Sequence, residues 1–328
     1  MNVLLKADRI KACFGIVLSF ALTMQGCKDS SVNPNPQQDN ATVSAAFGPG
    51  VSRGVLEVEG LDEASGLANS RSNPEFLWSH NDSGGDPTLY LLTTAGADSG
   101  RYQLDGTQNI DWEDMAIGAG PIDGVNYLYA ADIGDNRATR ESLSIYRTPE
   151  PNVSFRFRTV TIGSQQRQVQ IDLPADTTLG NIEVINYRYE DGARDAEALM
   201  VDPTTKDIFI ITKREPSVIL YKLPFPQNTI ETDTAIRVAV IPYTFITAGD
   251  ISLDGSEVLI KNYQNVYYWQ KSGNETIEEL LATPAIRLDY IQEPQGEAIA
   301  WKANGTGYFT LSEIGNASEV EVLEYNRN

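Results

Sequence analysis

One acidic tetrapeptide recurs five times along this chain, as Glu63-Ala-Ser-Gly, Glu113-Asp-Met-Ala, Glu197-Ala-Leu-Met, Asp250-Ile-Ser-Leu and Glu297-Ala-Ile-Ala. Each opens a short apolar run, and each is followed by a second run that ends in polar residues. Successive acids lie 50, 84, 53 and 47 residues apart, the period at which repeat architectures lay down one supersecondary unit per copy. A chain patterned this way buries its apolar faces between consecutive copies. The five acids then gather at one end of the assembly.

The units read as strands. Glu75-Phe-Leu-Trp-Ser-His, Tyr127-Leu-Tyr-Ala-Ala-Asp, Asp207-Ile-Phe-Ile-Ile-Thr, Glu257-Val-Leu-Ile-Lys-Asn and Tyr308-Phe-Thr-Leu-Ser-Glu are short, rich in aromatic and β-branched residues, and bounded by turn residues. Helical periodicity is confined to a turn or two at Thr276-Ile-Glu-Glu-Leu-Leu-Ala. Within each unit the acid begins a first strand and a turn reverses it. The second strand then ends beside the acid, because the start of one strand and the end of its antiparallel partner share a sheet edge.

Four such strands per unit, repeated radially, give an all-β propeller, an arrangement that leaves only short, protected sheet edges. The five motifs predict five blades. Residues 154–175 form an insertion in the long second repeat that is itself rich enough in strand to suggest a sixth. The last unit lacks a fourth strand, and Val55-Leu-Glu-Val at the domain start is placed to supply it. A β-sandwich is the competing architecture.

Residues 1–26 stand apart from this pattern. Lys6, Arg9 and Lys11 precede a mostly apolar run from Cys13 to Met24, too short for the ~20 residues that span a bilayer but suited to a secretory signal. The ending Met24-Gln-Gly-Cys27 resembles the lipobox of bacterial lipoproteins. That resemblance implies cleavage before Cys27 and acylation (palmitate among the chains) of its thiol, anchoring an exported protein to a membrane of the bacterial cell envelope. Residues 27–50, with Asn33-Pro-Asn-Pro-Gln-Gln at their centre, read as a disordered tether. Residues 51–328 then form a single domain.

Cys13 and Cys27 are the two cysteines of the chain, so the mature domain has neither a thiol nucleophile nor an internal disulfide. The sequence carries 45 acidic against 25 basic side chains, a net charge of −20, and loss of the signal with Lys6, Asp8, Arg9 and Lys11 takes it to about −22. That balance argues against nucleic-acid binding and agrees with cation binding.

Glu63, Glu113, Glu197, Asp250 and Glu297 converging on one channel would repel one another unless a cation or protons intervened. Hard carboxylate oxygens suit calcium. The alternative is that each acid accepts hydrogen bonds from the backbone of the next blade. At the second-strand ends, Asp132, Asp135, Asn136, Asn262 and Glu313 are further ligand or substrate-binding candidates. Lys213, Arg214 and Lys261 either neutralise the acids or bind an anionic substrate group. His80 is the one histidine. With Asp82 beside it and Lys213 nearby it makes a candidate proton-transfer set at the mouth, although no Gly-x-Ser-x-Gly elbow accompanies it.

The Glu-Ala-Leu/Ile-Ala strand opening, with its turn and polar strand end, resembles the propeller families of gluconolactonase-like lactonases and esterase-like phytases. The resemblance implies a calcium or similar cation held by inner-strand acids. Two functions follow as expectations. One is a metal-dependent esterase, lactonase or phosphoesterase. The other is a non-catalytic surface propeller binding a small molecule, glycan, peptide or protein partner.

Overall fold

Small residues dominate the first strand of every unit, and they let five strands converge. A Cβ at Gly118 would lie 2.9 Å from Val201 Cγ1, and one at Gly249 would lie 3.0 Å from Met200 Sδ. Glycine here permits close approach of neighbouring inner strands. The structure, a computed structural model, describes residues 43–44, 46–153, 156–162, 165–172 and 177–328.

Strands β1 (Val43–Ser44) and β2 (Val51–Val55) precede the first full sheet: β3 (Ala64–Asn69), β4 (Phe76–Asn81), β5 (Thr88–Thr93) and β6 (Asp98–Leu104). The second sheet begins with β7 (Trp112–Ala119), β8 (Asn126–Asp132) and β9 (Leu143–Pro149). The chain then makes β10 (Arg156–Ile162), β11 (Gln165–Asp172) and β12 (Thr177–Leu179) before β13 (Glu183–Tyr189) completes that sheet. The third sheet is β14 (Ala196–Val201), β15 (Ile208–Thr212), β16 (Val218–Leu223) and β17 (Asp233–Ile241). The fourth is β18 (Ile246–Ile251), β19 (Glu257–Asn262), β20 (Val266–Gln270) and β21 (Ile286–Leu288), with helix α1 (Ile277–Leu281) before its last strand. The fifth is β22 (Gln295–Trp301), β23 (Gly307–Glu313) and β24 (Glu321–Asn326). Antiparallel pairing of β2 with β24 completes it.

Five apolar clusters lie between the sheets, one at each interface. Leu89, Trp78 and Trp112 lie between the first and second sheets, and Tyr129, Ile185 and Ile210 between the second and third. Phe209, Ile246 and Trp269 join the third to the fourth, and Tyr268, Trp301 and Tyr308 the fourth to the fifth. Leu67, Leu77 and Phe309 return from the fifth to the first. The interfaces close a ring, and the inner strands β3, β7, β14, β18 and β22 touch in that cyclic order. This is a β-propeller. Two-sided burial of each sheet explains why its strands read as near-continuous apolar runs.

The expected closing strand lies slightly upstream of Val55-Leu-Glu-Val, at β2. Parallel additions of β12 to β6 and β1 to β21 cover two outer edges, and β13 also pairs parallel with β17 across neighbouring sheets. Edge coverage of this kind blocks pairing with other chains. The β10–β11 hairpin pairs only with itself among the described residues.

The tether expected over residues 27–50 does not extend that far. Phe47 is buried, with its ring 5.2 Å from Tyr308 and 5.6 Å from Tyr268 and the Arg327 guanidinium over its face. An aromatic side chain within a polar stretch found a socket that composition alone did not show. The expected signal, residues 1–26, and the lipidation site at Cys27 lie outside the described residues.

Candidate functional site: an acidic channel mouth

Every inner strand carries one extra residue near its start. The register with its partner slips between Ala64 and Gly66, Trp112 and Asp114, Ala196 and Ala198, Ile246 and Ala248, and Gly296 and Ala298. The bulged residues are therefore Ser65, Glu113, Glu197, Thr247 and Glu297. A bulge re-aims its side chain, and these five form the structural repeat.

Two of the five expected acids are displaced from it. Glu63 precedes the bulge by two residues and is exposed, so it matches Asp111 and Asp195 rather than Glu113. Asp250 follows its bulge by three residues and lies towards the turn end of the channel. There its carboxylate accepts the Trp301 N–H at 2.7 Å, and burial raises it to about 6 despite the nearby Arg71 guanidinium. For Asp250 the backbone-latch alternative holds.

Asp114 is a second latch. Fully buried, it accepts N–H groups from Met115 at 2.8 Å, Leu199 at 2.9 Å and Gly249 at 3.3 Å, tying three inner strands together. Burial pushes its carboxyl well above the usual range, outweighing those donors.

Glu113, Glu197 and Glu297 remain at the mouth, joined by Asp82, Asp111, Asp195 and Glu313. Oxygens of Asp82, Asp111 and Glu113 lie within 4.8 Å of one another, as do those of Glu113, Asp195 and Glu197. That is the span of two oxygens across one calcium at about 2.4 Å each. Glu113 is 4 % exposed, and no donor hydrogen-bonds to its carboxylate among the described residues. A Cβ on Gly134 would overlap both Glu113 Oε1 and Asp111 Oδ2. Glycine at that position leaves the two carboxylates their room.

Burial raises Glu113, Glu197, Asp82, Asp111 and Glu313, and mutual repulsion adds to it. Glu113 is pushed well above its ordinary value by burial and by Glu197. Glu197 rises to about 8 through burial, against the pull of Lys213. Asp82, half-buried, rises to about 7 through burial, with Glu297 and Asp111 adding to it. Glu313 rises to about 10 through burial and its hydrogen bond with Glu297. Tyr263 donates its hydroxyl to Glu297 Oε1 at 2.6 Å, and Gln295 Nε2 donates to Glu313 at 2.5 Å. Glu297 and Glu313 thus form a braced pair, and Glu297 belongs to neither oxygen triad.

The basic residues are already committed. Lys213 forms an ion pair with Glu197 and lies over the Tyr263 ring, and Arg214 pairs with Asp195 and Asn136. Lys261 is fully buried, donating to the carbonyls of Gly296 and Asn262 with its ammonium 5.0 Å from the Tyr290 ring centroid. Burial lowers it to about 8. Of the two roles expected for these cations, neutralisation is the one seen for Lys213 and Arg214, whereas Lys261 serves backbone carbonyls.

His80 does not face the mouth. It is fully buried, edge-on to Trp112 at 5.3 Å, with Nδ1 against the Asn81 carbonyl at 2.9 Å. A Cβ on Gly66 would collide with its Nε2, and burial lowers its pKa. His80 fills the interface between the first two sheets and is removed from the proton-transfer set.

Asp132 is fully buried and takes Arg140 at 2.8 Å. Asp135 caps the Arg140 N–H at 2.7 Å and donates its own N–H to Asp195 Oδ1 at 2.9 Å. Asn262 shapes its turn by accepting from Gln264 and Asn265. Asp132, Asp135 and Asn136 therefore buttress the mouth, and Asn262 holds its turn while its amide donates to the Thr244 carbonyl at 3.2 Å.

Sequence reasoning missed Asp111, Asp195, Thr247 and Asp114. The signal for the first two was present as an acid two residues before Glu113 and Glu197. Thr247 sits at the bulge position of its strand, 1 % exposed, with no partner for its hydroxyl.

No protein-family model matches the sequence, and no curated protein matches it. Among solved structures, the β-propeller domain of Cps50 (Swd1) from Myceliophteria thermophila is similar at 10 % identity and a TM-score of 0.40, covering 84 % of this chain and 99 % of that one. A similarity at that level bears on neither activity nor ligand.

Proposed function

We propose that this chain is an exported, lipid-anchored propeller that binds a divalent cation, calcium by the hardness of its ligands, at the channel mouth and uses it to hydrolyse an ester or lactone. The observation that carries this is Glu113, a carboxylate buried without a donor at the junction of two oxygen triads. An uncompensated buried charge is costly, and a cation removes that cost. The ligands would be Asp82, Asp111, Glu113, Asp195 and Glu197, and a cation held there would supply Lewis-acid polarisation of a substrate carbonyl.

The remaining chemistry belongs to the side chains. Glu313 holds a proton against Glu297, and Tyr263 and Gln295 fix the orientation of the pair, so this dyad takes the role expected of His80. Lys213, locked to Glu197, balances charge. With Lys213, Arg214 and Lys261 all committed, an uncharged ester or lactone suits the mouth better than a phosphoester. Export and anchoring rest on the basic, apolar and Gly26-Cys27 segments of the sequence.

The non-catalytic binding reading gains from the burial of His80, which withdraws the expected general base. Calorimetric titration of the full chain with calcium tests the site, with Glu113→Gln beside the wild type. A screen of aryl esters and lactones with and without chelator then separates the two readings. Tight binding lost in Glu113→Gln, with chelator-sensitive hydrolysis, is the expected result. Binding without turnover of any ester or lactone would leave a binding propeller, and no binding would overturn the cation site.

A further inference from the structure

We propose that the mouth holds two divalent cations bridged by Glu113, one among Asp82, Asp111 and Glu113 and the other among Glu113, Asp195 and Glu197. This rests on the cation-binding reading above and deepens it. The two triads share only the Glu113 carboxylate. A carboxylate has two oxygens, and presenting one to each side is how a bridging ligand holds two metals about 3.5–4 Å apart.

Four observations within and around the acid cluster point to occupants. Glu113 is more than nine-tenths buried and lacks a hydrogen-bond donor among the described residues. Thr247, at the equivalent bulge position two blades away, is 1 % exposed and has no partner for its hydroxyl. Asp82 Oδ1 is likewise buried without a donor. Gly134 keeps the space between Asp111 and Glu113 open where any side chain would close it.

Among the described residues, the five carboxylates of the two triads face only Lys213 on Glu197 and Arg214 on Asp195 as paired cations.

The test uses the full chain in chelator-treated buffer, titrated calorimetrically with calcium and separately loaded with manganese for electron paramagnetic resonance. The proposal expects two ions per chain and a spin-coupled manganese signal. Asp82→Asn or Asp111→Asn should weaken one ion at least tenfold, retain the other and return the six-line spectrum of an isolated ion. Glu197→Gln should do the same to the other ion, and Glu113→Gln should weaken both. Asp82 is half-buried at the mouth, so its variant reports on the site even if Glu113→Gln unfolds. One ion per chain in the wild type, lost in Glu113→Gln, overturns the bridged pair while leaving the proposed function standing. Two ions insensitive to Asp82→Asn, Asp111→Asn and Glu197→Gln place them elsewhere and overturn the pair as well, whereas no binding at all overturns both proposals.

Discussion

Replacing Asp114 with alanine probes the channel without touching a group assigned to the cation. Its carboxyl accepts the backbone N–H groups of Leu199 and Gly249, which belong to the first strands of the third and fourth sheets. Alanine leaves these two cross-strand donors on buried residues without their acceptor. Each orphaned buried N–H costs about 1–3 kcal/mol, which sets the loss at roughly 2–6 kcal/mol. Release of a buried carboxyl, itself expensive enough to hold its proton well above the usual range, offsets part of this, and a trapped water would recover more. We therefore expect a loss of about 3 kcal/mol, with Asp114→Asn losing about half as much because one amide oxygen still serves both strands. Denaturant unfolding of the full chain in chelator measures it. An unchanged m-value with a lowered midpoint is the expected signature. A loss below about 0.5 kcal/mol in Asp114→Ala would show that the carboxyl contributes nothing net to holding the inner strands, and the latch argument would fail.

Asp250 sets the sign of a pH dependence. Its folded pKa, raised to about 6 chiefly by burial, exceeds the unfolded value of about 3.9, so its contribution is present below the unfolded pKa and is lost as pH rises through the folded one. The gap of about two between those pKa values corresponds to about 3 kcal/mol, and Asp250→Asn should remove that share of the decline in stability between pH 4 and 7 in chelator; a wild type that gains stability over that range relative to the variant contradicts the assignment. Gly134→Ala should leave the melting temperature in chelator nearly unchanged yet weaken calcium at least tenfold, because its Cβ overlaps Glu113 and Asp111; unaltered affinity by calorimetry would rule out that cradle. Phe47→Ala should cost about 3 kcal/mol, at the low end for a buried phenylalanine, and a chemical melt unchanged by it would return residues 46–50 to the tether.

The repeat period, the strand content and the polar ends of the second strands were legible because each depends on local pattern. The sharing of a site among distant acids followed from the ring. What the sequence hid was register. A bulge adds one residue to a strand without leaving a mark in composition, and with a side-chain period of two a one-residue slip sends a side chain to the other face. Aligning the acids by their apolar followers therefore grouped Glu63 with Glu113 and Asp250 with Glu197, although the bulges pair Ser65 with Glu113 and Thr247 with Glu197. The same slip concealed Asp114, which follows an acid in sequence but is turned into the channel floor to receive the Leu199 and Gly249 backbones.

His80 failed for a different reason. Its strand-end position matched a mouth residue, but Gly66 opened a slot towards Trp112 that only packing between two sheets reveals. Lys261 occupies the corresponding strand position, paired with Ala248 as His80 is paired with Gly66, and it too is fully buried. Two polar side chains at that register thus serve the interfaces between blades, while the position two residues further along supplies Asp82, Lys213, Tyr263 and Glu313 to the mouth. Chemistry at this end of the ring is set by three rows: the bulge row, the row two residues before it that supplies Asp111 and Asp195, and the row two residues beyond the His80 position. A substitution elsewhere on the inner strands reaches the site only by moving those rows.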